Sequence, residues 1–80
     1  AYANTRIRIE GNTDATGNYN SNIELSKKRA QSVADYLVQQ YGVNKNRIVV
    51  VGNGPKHAIK DGVQGDNINY RTTDLNLLAD

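Results

Sequence analysis

Residues 47–52 read RIVVVG, and the four β-branched residues Ile48, Val49, Val50 and Val51 lie between Asn46 and two glycines, Gly52 and Gly54. A short apolar run bounded by turn residues predicts a strand, and its unbroken hydrophobicity suggests a central strand buried on both faces. Working backwards, Ala30, Val33, Ala34, Leu37, Val38 and Tyr41 recur at helical spacing, giving one apolar stripe. Gly42 is placed to stop that helix and Ser26 to cap its start. Further back, Thr5, Ile7 and Ile9 alternate with Arg6, Arg8 and Glu10, which predicts a first strand over about residues 5–10 with one face buried. Strand, helix and strand in succession define a right-handed βαβ unit with parallel strands whose carboxyl ends share a rim.

The connections carry the polar chemistry. GNTDATGNYNSN, residues 11–22, is dense in Gly, Asn, Thr and Ser and reads as loop. It holds Asp14. With Ser26 as cap, Arg29 falls in the first helical turn, where its charge opposes the helix dipole. Such a placement points to another task for Arg29, although a surface pair with Glu24 or a loop carboxylate explains it as well. Residues 53–70 contain Pro55 and three glycines, a connection long enough to hold a short helix or to serve in binding. The segment RTTDLNLL, residues 71–78, alternates Thr73, Leu75 and Leu77 with Asp74 and Asn76, and predicts a closing strand opened by Arg71. The fold class expected is α/β (α+β), a two-layer sandwich of a βαβ unit plus a closing strand in a mixed sheet.

Composition narrows the function. Eighty residues suffice for one domain, assigned to 1–80, with a small core. Ten basic and eight acidic residues give a net charge of +2, without the like-charge blocks that mark a nucleic-acid arm or polybasic membrane patch. No cysteine is present, so thiolate metal sites are excluded. The single histidine, His57, lies in a loop-like stretch without clustered carboxylates, and no cofactor is expected. No apolar stretch is long enough for a membrane span. No nucleophile beside a base, metal cluster or pair of acids suggests an enzyme.

Taken together, IRIEGNTDATG, then LSKKRAQSVADYL, NRIVVVGNG and the NYR before the last strand resemble the OmpA-like domain that binds peptidoglycan in bacterial envelopes. The resemblance implies a non-catalytic module of the cell envelope, whether periplasmic, outer-membrane or wall-associated, that anchors a fused or associated protein to the wall. The ligand it implies is the diaminopimelate of the peptidoglycan stem peptide, whose side chain ends in a free ammonium and a free carboxylate. By the same match, Asp14 takes the ammonium and Arg29 the carboxylate, and the helix N-terminus adds backbone donors for the anion. Thr13 and Gly17 shape the turn that aims Asp14, and Gly17 supplies a conformation unfavourable to other residues. Leu25 offers backbone groups to the ligand, with its side chain assigned to the core. Arg71 either reaches the ligand or forms an internal salt bridge.

Departures from the family pattern are equally specific. Asn12 stands where histidine is usual. Tyr70 replaces the first arginine of a terminal Asn-Arg-Arg motif, which is expected to remove positive charge from the pocket. The family unit also begins one strand and one helix earlier, so this chain is expected to start near the end of that helix, at AYAN, and to leave an edge for a partner chain or second copy to complete. An assembly module of the same fold that has lost ligand binding is the alternative. A looser similarity in VGNGPKHAIKDG and NYRTTDLNLL is to OmpA-like domains fused behind phosphate-type solute-binding modules in envelope lipoproteins.

Overall fold

Gly11 lies so close to the helix that a Cβ added to it would sit 2.0 Å from the carbonyl oxygen of Ser26. This contact fixes the layer spacing in the computed structural model, which describes residues 5–78. The chain runs β1 (Arg6–Asn12), α1 (Tyr19–Tyr41), a 3₁₀ turn (Lys45–Arg47), β2 (Ile48–Gly54), α2 (Lys56–Lys60), a second 3₁₀ turn (Ile68–Tyr70) and β3 (Thr73–Leu78). The sheet order is β2-β1-β3, with β1 parallel to β2 and antiparallel to β3. The βαβ unit and the closing strand are therefore present, and the fold is the expected mixed α+β arrangement.

The strand expected at the centre lies at an edge. β1 is central because it pairs on both sides, whereas among the described residues β2 pairs with β1 alone. Ile48 and Val50 pack towards α1, but Val49 is 40% exposed on the opposite face. That outer face also carries an Arg8–Glu10 salt bridge of 2.8 Å, so it is a polar surface and not a second core. Four consecutive β-branched residues therefore recorded strand preference more than burial.

β1 continues past its expected end to Asn12 because Gly11 and Asn12 keep pairing. Gly11 lies opposite Gly52 and Thr73, and after a register shift Asn12 lies opposite Gly54. The helix begins earlier than expected. Its N-cap is Asn18, whose side chain accepts from the Ser21 amide, so Ser26 is an interior residue and Arg29 is not in the first turn. Residues 19–22, read as loop from their Asn and Ser content, are helical because a cap can be offered at Asn18 just as well as at Ser26. Gly42 closes the helix with φ 65°, as its position predicts.

Ile7, Ile9, Ala30 and Ala34 form the buried core, with Val33, Leu37, Val43, Ile48 and Val50 packed against it. Tyr41, the last member of the expected stripe, lies outside it at 69% exposure and meets Tyr36 edge to face. Leu75 and Leu77 pair with Ile9 and Ile7 and so share the helix side of the sheet. They remain exposed because α1 lies over β1 and β2. The segment AYAN, to which the end of an earlier helix was assigned, lies outside the described residues.

Ser26 is fully buried and joins the two layers. Its Oγ donates to the Ile23 carbonyl at 2.8 Å and accepts from the Gly54 amide at 2.8 Å. At Gly52 and Gly54 an added Cβ would lie 2.7 Å from Lys27 Cβ and Ile23 Cδ1, so both strand ends admit the helix only as glycine. Gly11→Ala should destabilise the fold by at least about 2 kcal/mol, because backbone and not a movable side chain occupies the space. Urea unfolding monitored by circular dichroism checks this, and an unchanged midpoint would refute the packing described.

Candidate functional site

The carboxyl ends of β1 and β2 come together as the parallel pairing requires. The Thr13 amide donates to the Gly54 carbonyl at 2.8 Å, and the Asn12 amide to the Thr72 carbonyl at 2.8 Å. Asn12, the departure from the usual histidine of the family pattern, is 4% exposed. Its Nδ2 donates to Asp74 and Thr72, and its Oδ1 accepts from Asn53, so it ties all three strand ends. An amide does this with both donor and acceptor and without titrating.

Beyond this junction the chain turns and presents Asp14, only 5% exposed. Its Oδ1 accepts from the Thr16 amide at 3.0 Å, and its Oδ2 accepts from the Asn67 amide at 3.1 Å and from Arg71 Nε at 3.2 Å. These contacts favour the carboxylate: the Asn67 and Thr16 amides pull its pKa below the usual range, partial burial opposes them, and the Arg71 charge adds to the lowering. Thr13, 3% exposed, donates its hydroxyl to the Asp14 carbonyl at 2.9 Å. Gly17 has φ 84°, the left-handed conformation expected of it, and leads into the Asn18 cap.

Asp14 opens into a cleft of about 340 Å³ lined by Thr13, Thr16, Asn22, Leu25, Arg29, Asp66 and Arg71. Of the six site residues expected from sequence, Thr13, Asp14, Leu25, Arg29 and Arg71 meet here. Gly17 does not line the cleft and acts through the turn. Leu25, assigned to the core, is 40% exposed and contributes an apolar wall, because one position away Ser26 takes the inward-facing place. Arg29 is exposed and, among the described residues, has neither an ion-pair nor a hydrogen-bond partner, so the surface pair with Glu24 is not formed. It is the eleventh residue of α1, roughly 15 Å along the axis from Tyr19. The expected backbone donors of a helix N-terminus are therefore not beside it.

Arg71 forms the internal salt bridge that sequence left open. It bridges Asp14 and Asp66 just before β3 begins, as the residue closing the second 3₁₀ turn. Tyr70, by contrast, lines a separate groove with Glu10, Asn12, His57 and Asp74, and its hydroxyl donates to Asp61 at 2.8 Å. That hydrogen bond to a carboxylate raises the tyrosine pKa. Tyr70 itself thus faces away from the Asp14 cleft, which Arg71, its neighbour on the turn, lines. His57 is exposed on α2 rather than in a loop.

Sequence reasoning missed Thr16, Asn22, Asp66 and Asn67. Asn22 anchors the Asp14 turn through Nδ2 to the Thr16 carbonyl at 2.7 Å. Asn67 works through its backbone, which residue type does not report. The charge of Asp66, five positions before Arg71 in GDNINYR, was the one available signal. Among the described residues no group of three His or acidic side chains is placed to hold a metal ion. No helix is long and apolar enough to cross a membrane.

A three-stranded α+β module with a charged cleft at its parallel strand ends is thus the class defined by the fold. The chain belongs to the OmpA family, whose model matches residues 1–72. It is similar to outer membrane porin F of Pseudomonas aeruginosa, at 39% identity over 72 residues, covering 88% of this chain and 21% of the relative. The probable lipoprotein YiaD of Escherichia coli (strain K12) is 43% identical over 58 residues, covering 72% of this chain and 26% of the relative. The peptidoglycan-binding protein ArfA of Mycobacterium tuberculosis is 46% identical over 59 residues, covering 74% of this chain and 18% of the relative. The chain thus spans about a quarter or less of the length of each of these relatives. The kinship places it among proteins of the cell envelope.

Protonation of Asp14 should loosen the site. Since its folded pKa is depressed, Asp14 adds stability that is present above its unfolded value and is lost as pH falls below about 4. Asp14→Asn should lower stability at neutral pH and flatten this part of the acid dependence. Urea midpoints measured from pH 7 to pH 2.5 check it, and parallel curves for the two proteins would contradict the assignment.

Proposed function

We propose that the chain is a non-catalytic peptidoglycan-binding module that holds the diaminopimelate of the stem peptide and so tethers the protein carrying it to the cell wall. The observation that carries this reading is the pairing, in one cleft, of a carboxylate kept ionised at Asp14 with an unpartnered guanidinium at Arg29. A carboxylate accepts charge-assisted bonds from an ammonium, and a guanidinium offers a planar fork to a carboxylate. The two sites match the two charges at the end of a diaminopimelate side chain. Leu25 offers an apolar wall to the methylenes of that side chain, and Thr13 and Gly17 hold the turn. The relative named as a peptidoglycan-binding protein supports the same ligand class.

Such a cleft binds without cleaving. Its acids, Asp14 and Asp66, are both engaged by Arg71, and the cleft lining holds no imidazole.

Titration of ¹⁵N-labelled protein with a muramyl tripeptide ending in diaminopimelate should give saturable shifts centred on residues 13–17 and 25–29. The lysine-containing tripeptide lacks the second carboxylate and should bind more weakly. Arg29→Ala should cost roughly ten- to hundredfold in affinity, the usual range for losing a charged hydrogen bond. Absence of any shift at millimolar diaminopimelate peptide would reject the proposal.

A further inference from the structure

Asn53 is followed by Gly54, the one Asn–Gly step in the 80 residues. Asparagine is chemically labile at such a step, because its carboxamide carbon can close a five-membered ring onto the next backbone nitrogen and glycine puts no side chain in the way. Packing prescribes that glycine: Gly54 has φ 54°, and an added Cβ would lie 2.7 Å from Ile23 Cδ1 and 2.9 Å from the Ile23 nitrogen. Both reacting groups are held. The Gly54 amide donates to the buried Ser26 Oγ at 2.8 Å, while Asn53 Nδ2 donates to Asn12 Oδ1 at 3.1 Å and lies 3.3 Å from His57 Nε2. The nucleophile is therefore restrained against the helix and the leaving group on the junction of the strand ends.

We propose that Asn53–Gly54 is a self-modification site of the protein, gated by Ser26, at which Asn53 is converted to aspartate or isoaspartate when the contact between β2 and α1 opens. In the first step the Gly54 nitrogen bonds to Asn53 Cγ, the Cγ–Nδ2 bond breaks, and Nδ2 leaves as ammonia with the amide proton. Water then cleaves the succinimide, at Cγ to give aspartate or at the main-chain carbonyl carbon to give isoaspartate, and neither step is a redox change. To attack, the Gly54 amide must give up its proton and turn towards Cγ, so its bond to Ser26 has to break first. Local opening of that bond sets the rate. The products do not fit the place they arise in. Aspartate sets a carboxylate oxygen against Asn12 Oδ1, acceptor against acceptor, at the side chain that also holds Thr72 and Asp74. Isoaspartate adds a methylene to the main chain just before Gly54, whose carbonyl accepts from the Thr13 amide at 2.8 Å. Either change passes to the turn that carries Asp14, so the cleft has a chemical lifetime set by how firmly Ser26 holds Gly54.

The test incubates the chain at neutral pH, folded and in unfolding urea, and follows the tryptic peptide 48–56, in which Asn53 is the only asparagine, by mass spectrometry for replacement of NH₂ by OH. The folded protein should be modified at least about tenfold more slowly than the unfolded chain. Ser26→Ala removes the acceptor and should raise the folded-state rate about threefold or more, in step with faster hydrogen exchange at the Gly54 amide. If circular dichroism shows that this variant does not fold, wild type in urea below its midpoint takes its place, and modification should rise in proportion to Gly54 exchange. Asn53→Gln, whose ring closure would need a sixth member, should stay unmodified. The modified fraction, separated by its added negative charge, should show displaced amide shifts at Thr13 and Asp14. Absence of the mass change in the unfolded chain overturns the site. Equal rates folded and unfolded, or rates that do not follow Gly54 exchange, overturn the gate, and unchanged Thr13 and Asp14 shifts overturn the link to the cleft.

Discussion

The closest approach in this protein is that of α1 to the ends of β1 and β2. Three glycines, Gly11, Gly52 and Gly54, remove every Cβ from the strand surface where the Ile23–Lys27 turn of the helix comes down. Ser26 lies against Gly11, and its hydroxyl accepts from the amide of Gly54. A buried amide left without a partner would cost about 1–3 kcal/mol, so this side chain and this glycine depend on each other. The contact sets the height and rotation of the helix. With Ser26 turned inward, Leu25 and Arg29 face the loop that carries Asp14, and the cleft exists because of that rotation.

Asp14 serves the fold and the site with the same atoms. Its carboxylate accepts two backbone amides from turns far apart in sequence and an arginine that closes the second 3₁₀ turn, so it fastens the 66–71 segment over the strand ends. These bonds also keep it charged. An anion held in this way suits recognition of a cation, but its stabilising bonds are themselves competitors for the ligand.

The two departures from the family pattern that stood out in the sequence act away from this cleft. Asn12 closes the junction of the three strands with a donor and an acceptor on one side chain. Tyr70 bonds to Asp61 and faces a separate groove. Neither lines the cleft.

Local chemistry was enough to determine most of the elements, and the family resemblance named five of the residues that line the Asp14 cleft. Period-two alternation marked β1, helical spacing marked α1, Gly42 marked its end, and the register of the TD turn with the Leu-Ser-x-x-Arg stretch marked Asp14 and Arg29. These features are written in side-chain types at short range. Three others were decided only by tertiary structure. β1 rather than β2 is central, because pairing partners depend on where β3 returns and not on how apolar a strand is. The helix starts at Asn18, since two capping residues competed and the closer packing of Ser26 against Gly11 and Gly54 took it into the interior. The state of Arg71 was undecided in sequence because its partners, Asp14 and Asp66, are brought to it by different connections. A residue's type states which bonds it can make; only the path of the backbone determines which of them are within reach.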